Sequence, residues 1–310
     1  MLGHGGLQAR AYGSLGQAYY DAGDYPRAME SLARNVVTLQ GDLRYERSGA
    51  TGSVPVTSRA WLSYCHTERG AFTEALAMAE DGLRLAETVQ SPFSQIEAWY
   101  GVSLVYQRQG DVPRAIPGLE RAMGLCQEWH IPLLWPVMAA ALGLAYTLEG
   151  RDAAGLALVE QGVAQQVARS RRRRLASAII GLSEAYLRAG RLEEAGQHAA
   201  QALDHARQHQ QRGNQAWALW LLGASTVRQP SREGEPAAGH YRQALTLAEA
   251  LGMRPLQAHC HRGLGMLYVA AGQREQARAE LVAAIEMYRD MVMTFWLPET
   301  EAALAQVEGR

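Results

Sequence analysis

The chain has 310 residues, more than one compact core usually organises, so two domains or a repeat array are expected. Its formal net charge of -1 gives no global pull toward nucleic acid or an acidic membrane surface. All 30 basic residues are arginine, and the absence of lysine excludes a P-loop, a Schiff-base lysine or a Ser-Lys pair.

Aliphatic residues and alanine are plentiful and only 3 phenylalanines occur, a composition that favours helix over strand. Cys65, Cys126 and Cys260 lie too far apart for a disulfide framework or a zinc site and read as reduced, buried, small apolar residues. The first residues carry no charged region ahead of an apolar run, and no apolar stretch is long enough to span a bilayer. A soluble, cytoplasmic protein without a membrane partner is therefore expected.

One pattern recurs along the chain. The first copy has Leu15, Gly16, Tyr19, Gly23, Ala28 and Leu32. The second has Leu62, Gly70, Ala75 and Ala79, with His66 in the tyrosine slot. Trp99, Val102, Tyr106, Gly110, Ala115, Leu119 and Ala122 make the third, and Leu142, Gly143, Tyr146, Gly150, Gly155 and Val159 the fourth. The fifth has Leu182, Tyr186, Gly190, Ala195, Ala199 and Ala202. The sixth is degenerate, with Leu222, Gly223 and Thr226, then Pro230 where glycine is expected, then Ala237, Tyr241 and Ala244. Leu264, Gly265, Tyr268, Gly272, Ala277, Leu281 and Ala284 complete the series.

Each position has a mechanical role. Leu264 and Tyr268 lie four apart and share one helix face. Gly265 lets a neighbouring helix approach, and Gly272 ends the first helix in the left-handed region. Ala277, Leu281 and Ala284 form one stripe on a second helix. A single hairpin cannot bury such a stripe, so copies must stack.

The turn position falls at 23, 70, 110, 150, 190, 230 and 272, with intervals of 47, 40, 40, 40, 40 and 42. The segment from Gly41 to Ser58 supplies the long first interval and reads as a loop. Gln229 to Pro236 reads as a polar loop inside the sixth hairpin. Beyond the seventh, Pro298 precedes a short amphipathic segment with Ala302, Ala303, Leu304 and Val307, a capping helix for the exposed end. No comparable cap precedes Leu7, which suggests a polypeptide that extends further upstream.

These residues resemble the tetratricopeptide repeat, whose two-helix unit carries Leu-Gly, Tyr, Gly, Ala and Ala at such spacings in about 34 residues. Each unit here is longer, through longer helices or longer connections. The resemblance covers nearly the whole chain. It implies an all-α, right-handed superhelical solenoid of about seven helix-turn-helix repeats with a C-terminal capping helix. The repeats would span about 7–40, 57–90, 92–130, 133–169, 173–210, 213–251 and 255–292, with the cap at about 298–308, in one domain over 1–310. A narrower likeness rests on 41–47, on Gln109, Gly110, Asp111, Arg114, Ala115, Ile116 and Pro117, and on Met291 to Leu297. They look like the repeat region of bacterial signalling proteins with class III cyclase or STAND-type ATPase domains. This likeness implies a regulatory region and carries no catalytic motif over.

In tetratricopeptide folds the first helix of each pair lines the concave face. Counting away from the Leu/Tyr core gives Tyr20, Tyr64, Tyr100, Gln107, Arg108, Arg188, Trp217, Trp220, Arg228 and Arg262 as candidate contact residues. Tyr, Trp and Arg dominate binding hot spots. Arginine forks suit carboxylates, so the expected partner is a protein or peptide segment, acidic in character. Arg171, Arg172, Arg173 and Arg174 form a dense basic run, either a solvated connection or an anion or acidic-partner patch.

Catalytic chemistry is not legible. Gly181-Leu182-Ser183 and Gly223-Ala224-Ser225 lack the last glycine of a nucleophile elbow, and Gly263-Leu264-Gly265 is no dinucleotide fingerprint. His205 and His209 share a helix face without a clear third ligand. The expected function is a non-catalytic binding scaffold without metal, cofactor or nucleic acid. The alternatives are a small-ligand sensor closed by Trp217 and Trp220, and an enzyme.

Overall fold

The structure is a computed structural model that describes residues 4–39, 52–168, 174–227 and 235–309. Fourteen helices form seven antiparallel pairs: α1 (His4–Ala22) with α2 (Tyr25–Thr38), α3 (Val54–Glu68) with α4 (Phe72–Val89), and α5 (Pro92–Gln109) with α6 (Val112–Glu128). Then come α7 (Trp135–Leu148) with α8 (Asp152–Ala168), α9 (Leu175–Arg188) with α10 (Leu192–Gln208), α11 (Arg212–Val227) with α12 (Glu235–Leu251), and α13 (Arg254–Ala270) with α14 (Arg274–Asp290). A 3-10 turn, Thr294–Trp296, leads into α15 (Leu297–Glu308). No strand occurs among the described residues. The architecture is a tetratricopeptide-like helical-repeat solenoid.

The extra length per unit lies in the helices, which run 14 to 19 residues in the paired set. Connections within most hairpins are short because the first helix closes on a left-handed residue. Gly23, Gly70, Gly110, Gly150, Gly190 and Gly272 all have positive φ, between 71° and 90°. The N–H after each glycine bonds the carbonyl five residues back, as from Asp111 to Tyr106 at 2.8 Å and Gln273 to Tyr268 at 2.9 Å. This is a Schellman closure, and it places the tyrosine slot's carbonyl at the helix terminus. The turns between hairpins repeat the device with Gln90, His130, Gln210, Gly252 and Val292 at positive φ. Proline stands at the start of α2, α3, α5, α6, α7, α13 and α15, where its missing N–H costs nothing. This preference corrects the loop read as far as Ser58: Val54 and Pro55 already begin α3, while 40–51 lie outside the described residues. The loop read over Gln229 to Pro236 likewise ends early, since α12 begins at Glu235 and 228–234 are not described.

Within hairpins the small residues let long ones in. A Cβ on Gly265 would stand 2.7 Å from the Leu281 side chain, which is fully buried. Leu264 is buried as well, but Tyr268 is half-buried, with Arg242 Nη2 donating to its hydroxyl at 3.3 Å. Tyr146 and Tyr186 also turn their hydroxyls outward, to Glu120 at 2.7 Å and Glu160 at 2.6 Å. Leu15, read as a core leucine, is 46% exposed.

The solenoid closes on itself. One core joins Phe72, Ala75, Val102 and Val105 of α4 and α5 to Ala258, Ala284, Tyr288, Met293 and Trp296 near the C-terminus. The glycine turns of the first three hairpins meet the last units: Gly23 faces Gly213, Gly70 faces Met291, and Gly110 faces Phe295 and Trp296. The first helices therefore enclose their concave face.

Candidate binding site

Five first helices point a stripe inward onto one cleft. Tyr20 and Asp21 come from the end of α1, Trp61 and Tyr64 from α3, and Tyr100, Gln107 and Arg108 from α5. Alanines 140 and 141 of α7 make a smooth floor, and Glu184 of α9 faces it, with Arg174 just before that helix. The cavity holds about 120 Å³, room for roughly four waters at about 30 Å³ each.

Its wall is a run of edge-to-face rings. Tyr20 meets Trp61 at 5.1 Å, Trp61 meets Tyr64 at 5.3 Å, and Tyr64 meets Tyr100 at 5.7 Å between centroids. Such pairs contribute about 0.5–1.5 kcal/mol beyond their area. Burial pushes the Tyr20 phenol well above its ordinary value, and the neighbouring Glu68 carboxylate adds to it. Gln107 is occupied by structure, since its Nε2 donates to the Ala141 carbonyl at 2.9 Å.

Arg108 and Glu184 differ from these. The Arg108 guanidinium lies 4.2 Å from the Trp217 ring centroid. Its Nη1 is 4.0 Å from Glu184 Oε2, an ion pair without a hydrogen bond. Arg108 Nε and Glu184 Oε2 are both buried with no hydrogen-bond partner among the described residues. A buried carboxylate oxygen in that state costs several kcal/mol, about 1–3 or more.

Trp217, Trp220 and His259 separate this cleft from a second one. Trp217 and Trp220 cross at 5.7 Å, and Trp220 lies 5.4 Å from the His259 ring. The second cavity, about 220 Å³, is lined by Arg188, Trp220, Tyr241, His259, Arg262 and Glu299. Arg262 pairs there with Glu299 of α15 at 2.5 Å. His259 Nδ1 lies 2.7 Å from the Tyr288 hydroxyl. Burial, with Arg262, Arg188 and Arg108 around it, holds the His259 imidazole well below its ordinary pKa and so neutral.

The structure thus distributes the sequence-derived candidates. Tyr20, Tyr64, Tyr100, Gln107 and Arg108 share the first cleft; Arg188, Trp220 and Arg262 share the second; Trp217 stands between them. Tyr64, Gln107, Trp217 and Trp220 are buried rather than displayed, because the superhelix closes over them. Arg174 belongs to the first cleft rather than to an outer basic patch, while Arg171, Arg172, Arg173 and Arg228 lie outside the described residues. Sequence reading missed Trp61 and Glu68, although 61, 64 and 68 share one helix stripe. Among the described residues no group of three or more metal-ligating side chains gathers; His205 and His209 simply cross edge-to-face at 4.4 Å.

No family model matches the chain. Over 251 residues it is 28% identical to Regulatory protein AfsR of Streptomyces griseus, covering 79% of this chain. The chain spans 23% of that protein's length. A Rap protein complexed with Competence and Sporulation Factor superposes with a TM-score of 0.62 at 10% identity, over 94% of this chain and 86% of that one. NprR in complex with its cognate peptide NprX gives 0.59 at 14% identity, over 91% and 84% of the two chains. The Rap conjugation gene regulator of plasmid pLS20, in complex with the Phr* peptide, gives 0.56 at 11%, over 96% of each. At such identities the likeness establishes the fold. No helix among the described residues is long and apolar enough to cross a membrane.

Proposed function

We propose that this chain is a non-catalytic regulatory module that binds a peptide, or an extended segment of a partner protein, in the cleft enclosed by its first helices. The observation that carries this reading is the pair of Arg108 Nε and Glu184 Oε2. A buried donor and a buried acceptor stand together as an ion pair, each without a hydrogen-bond partner among the described residues. An extended residue of a bound peptide presents its own N–H and C=O on the same side, so its carbonyl can accept from the first and its N–H can donate to the second. The similarity to solved helical-repeat proteins that hold peptides, and to a regulatory protein, supports the same reading. The sequence likeness to cyclase- and STAND-linked repeat regions supports reading it as a module of a larger cytoplasmic signalling protein of bacteria, one that acts without nucleic acid, membrane or cofactor. An acidic group on the ligand finds its place in the second cavity, beside Arg188 and Arg262.

Affinity selection from an equimolar library of pentapeptides, read by mass spectrometry, tests the proposal. Defined sequences should enrich on the parent and lose enrichment on Glu184→Leu. A selection that enriches nothing on the parent would refute it. The second reading, a small-ligand sensor, draws on the Trp217–Trp220 wall, which divides the interior into cavities of side-chain size. It predicts that single blocked amino acids bind as tightly as any pentapeptide.

A further inference from the structure

We propose that the aromatic end of the first cleft is a guanidinium site, which takes an arginine side chain of the bound peptide and is held by the chain's own Arg174 until that peptide arrives. The assignment rests on the cleft being a peptide site and names what the site selects.

Geometry supplies the first argument. The Arg174 guanidinium lies 5.0 Å from the Trp61 ring centroid, within cation–π range. Its positive charge also opposes the burial that raises the Tyr64 phenol. Trp61, Tyr64 and Tyr20 meet one another edge to face, so the site has rigid walls before any ligand enters. A planar, weakly hydrated guanidinium stacks on such walls better than an ammonium does.

Charge supplies the second. Asp21 and Glu97 act on Arg174, while Glu68 and Glu184 act on Arg108. Burial opposes the charge on Arg174, yet Tyr64, Tyr100, Glu97 and Asp21 hold its pKa above the ordinary value. Among the described residues Asp21, Glu68 and Glu184 answer these two guanidiniums, while burial raises the Glu97 carboxyl toward its neutral form, and with Arg174 withdrawn they would answer Arg108 alone. The Glu184 side chain is only 8% exposed, lines this cleft and has Oε2 without a donor. An interior with that balance attracts a cation and repels a carboxylate.

Position supplies the third. Arg174 is the residue immediately before α9, at the positive end of the helix dipole, where a cation is disfavoured. Its charge is held by the cleft and not by its own helix. A ligand arginine makes the same contacts without that opposition and so competes with it.

The probes are N-acetyl-arginine amide and its neutral isostere N-acetyl-citrulline amide, titrated by isothermal calorimetry, with the Trp61 indole signal followed by NMR in the proteins that keep Trp61. The proteins are the parent, Arg174→Ala and Arg174→Gln, the latter shorter but keeping the first carbons of the stem and a polar, uncharged end. Both variants should bind the arginine probe at least tenfold more tightly than the parent, with no such gain for the citrulline probe. Adding Trp61→Leu to either should abolish the gain. The pentapeptide selection, repeated on Arg174→Gln, should enrich arginine-containing sequences. Equal binding of the two probes by the variants, or no gain over the parent, overturns the guanidinium site. If pentapeptides still enrich in that case without preference for arginine, the peptide cleft stands and only this inference falls. If neither probes nor pentapeptides bind, both fall.

Discussion

The indole N–H of Trp217 donates to Glu68 Oε2 at 2.9 Å, across 149 positions of sequence. Both side chains are buried, and the bond ties α11 to α3 across the inside of the superhelix. Arg108 stacks on the far side of this contact, 4.2 Å from the Trp217 ring centroid. Trp217 belongs to the wall that it forms with Trp220 and His259, so stability and site geometry share the same atoms.

Trp217→Phe keeps most of the ring and removes the donor. Glu68 is then left buried without its hydrogen bond, which should cost about 1–3 kcal/mol. Glu68→Gln in the same background removes the stranded charge and should recover part of the loss. A urea-denaturation double-mutant cycle measures the coupling, expected at about 0.5 kcal/mol or more. Additive losses would show that the two side chains do not communicate.

Closure of the solenoid predicts an asymmetry between equivalent glycines. Gly110 and Gly190 occupy the same turn position, with φ of 88° and 75°. Alanine at either carries the left-handed penalty of roughly 1–2 kcal/mol. At Gly190 a Cβ meets nothing within 4 Å, whereas at Gly110 it would stand 2.6 Å from Phe295 Cβ and 2.8 Å from the Trp296 ring. Gly110→Ala should therefore lose about 1–3 kcal/mol more than Gly190→Ala in chemical denaturation. Equal losses would place the C-terminal segment away from the third hairpin's turn.

The repeat grid was legible because its turns demand glycine: the six glycines at 23, 70, 110, 150, 190 and 272 all adopt the left-handed conformation that their spacing implied. The second set of turns was not, because Gln90, His130, Gln210 and Val292 adopt the same conformation without advertising it. Closure was illegible for a different reason. It accumulates from small rotations between successive pairs, which no local pattern encodes. For that reason counting helix faces picked Tyr20, Tyr100 and Arg108, which line one cleft, yet cast Trp217 and Trp220 as displayed anchors when they are buried. Arg174 was read with its arginine neighbours as one surface, and its contact with Trp61 depends on how α9 enters the array.

One of those hidden turns stores strain. Val292 is β-branched, 61% exposed and held at φ 55°. That conformation is unfavourable for any side chain and more so for a branched one. Val292→Gly should raise stability by about 1 kcal/mol, seen as a higher melting temperature, because little burial is lost in exchange. An unchanged or lower melting temperature would mean that the valine side chain contributes packing the turn needs.

His259 gives the protein a pH response of definite sign. Its ring is buried against Tyr288, Trp220 and Trp296, with Arg108, Arg188 and Arg262 nearby and Glu299 on the opposite side of the cavity. Burial and those arginines depress its folded-state pKa well below the ordinary value of 6.5. As pH falls through that value the unfolded chain binds a proton and the folded chain does not, so the unfolded state gains. The stabilising effect is thus complete above pH 6.5 and is lost progressively below it, by about 1.4 kcal/mol at pH 5.5. Burial lowers His66 and His240 in the same direction, so the comparison must be with a variant rather than with theory alone. His259→Gln keeps a polar partner for the Tyr288 hydroxyl and does not titrate. Between pH 7.5 and 5.5 the parent should lose about 1.4 kcal/mol more unfolding free energy than this variant, measured by urea denaturation at each pH. Equal losses in the two proteins would show that the folded protein protonates this ring without penalty.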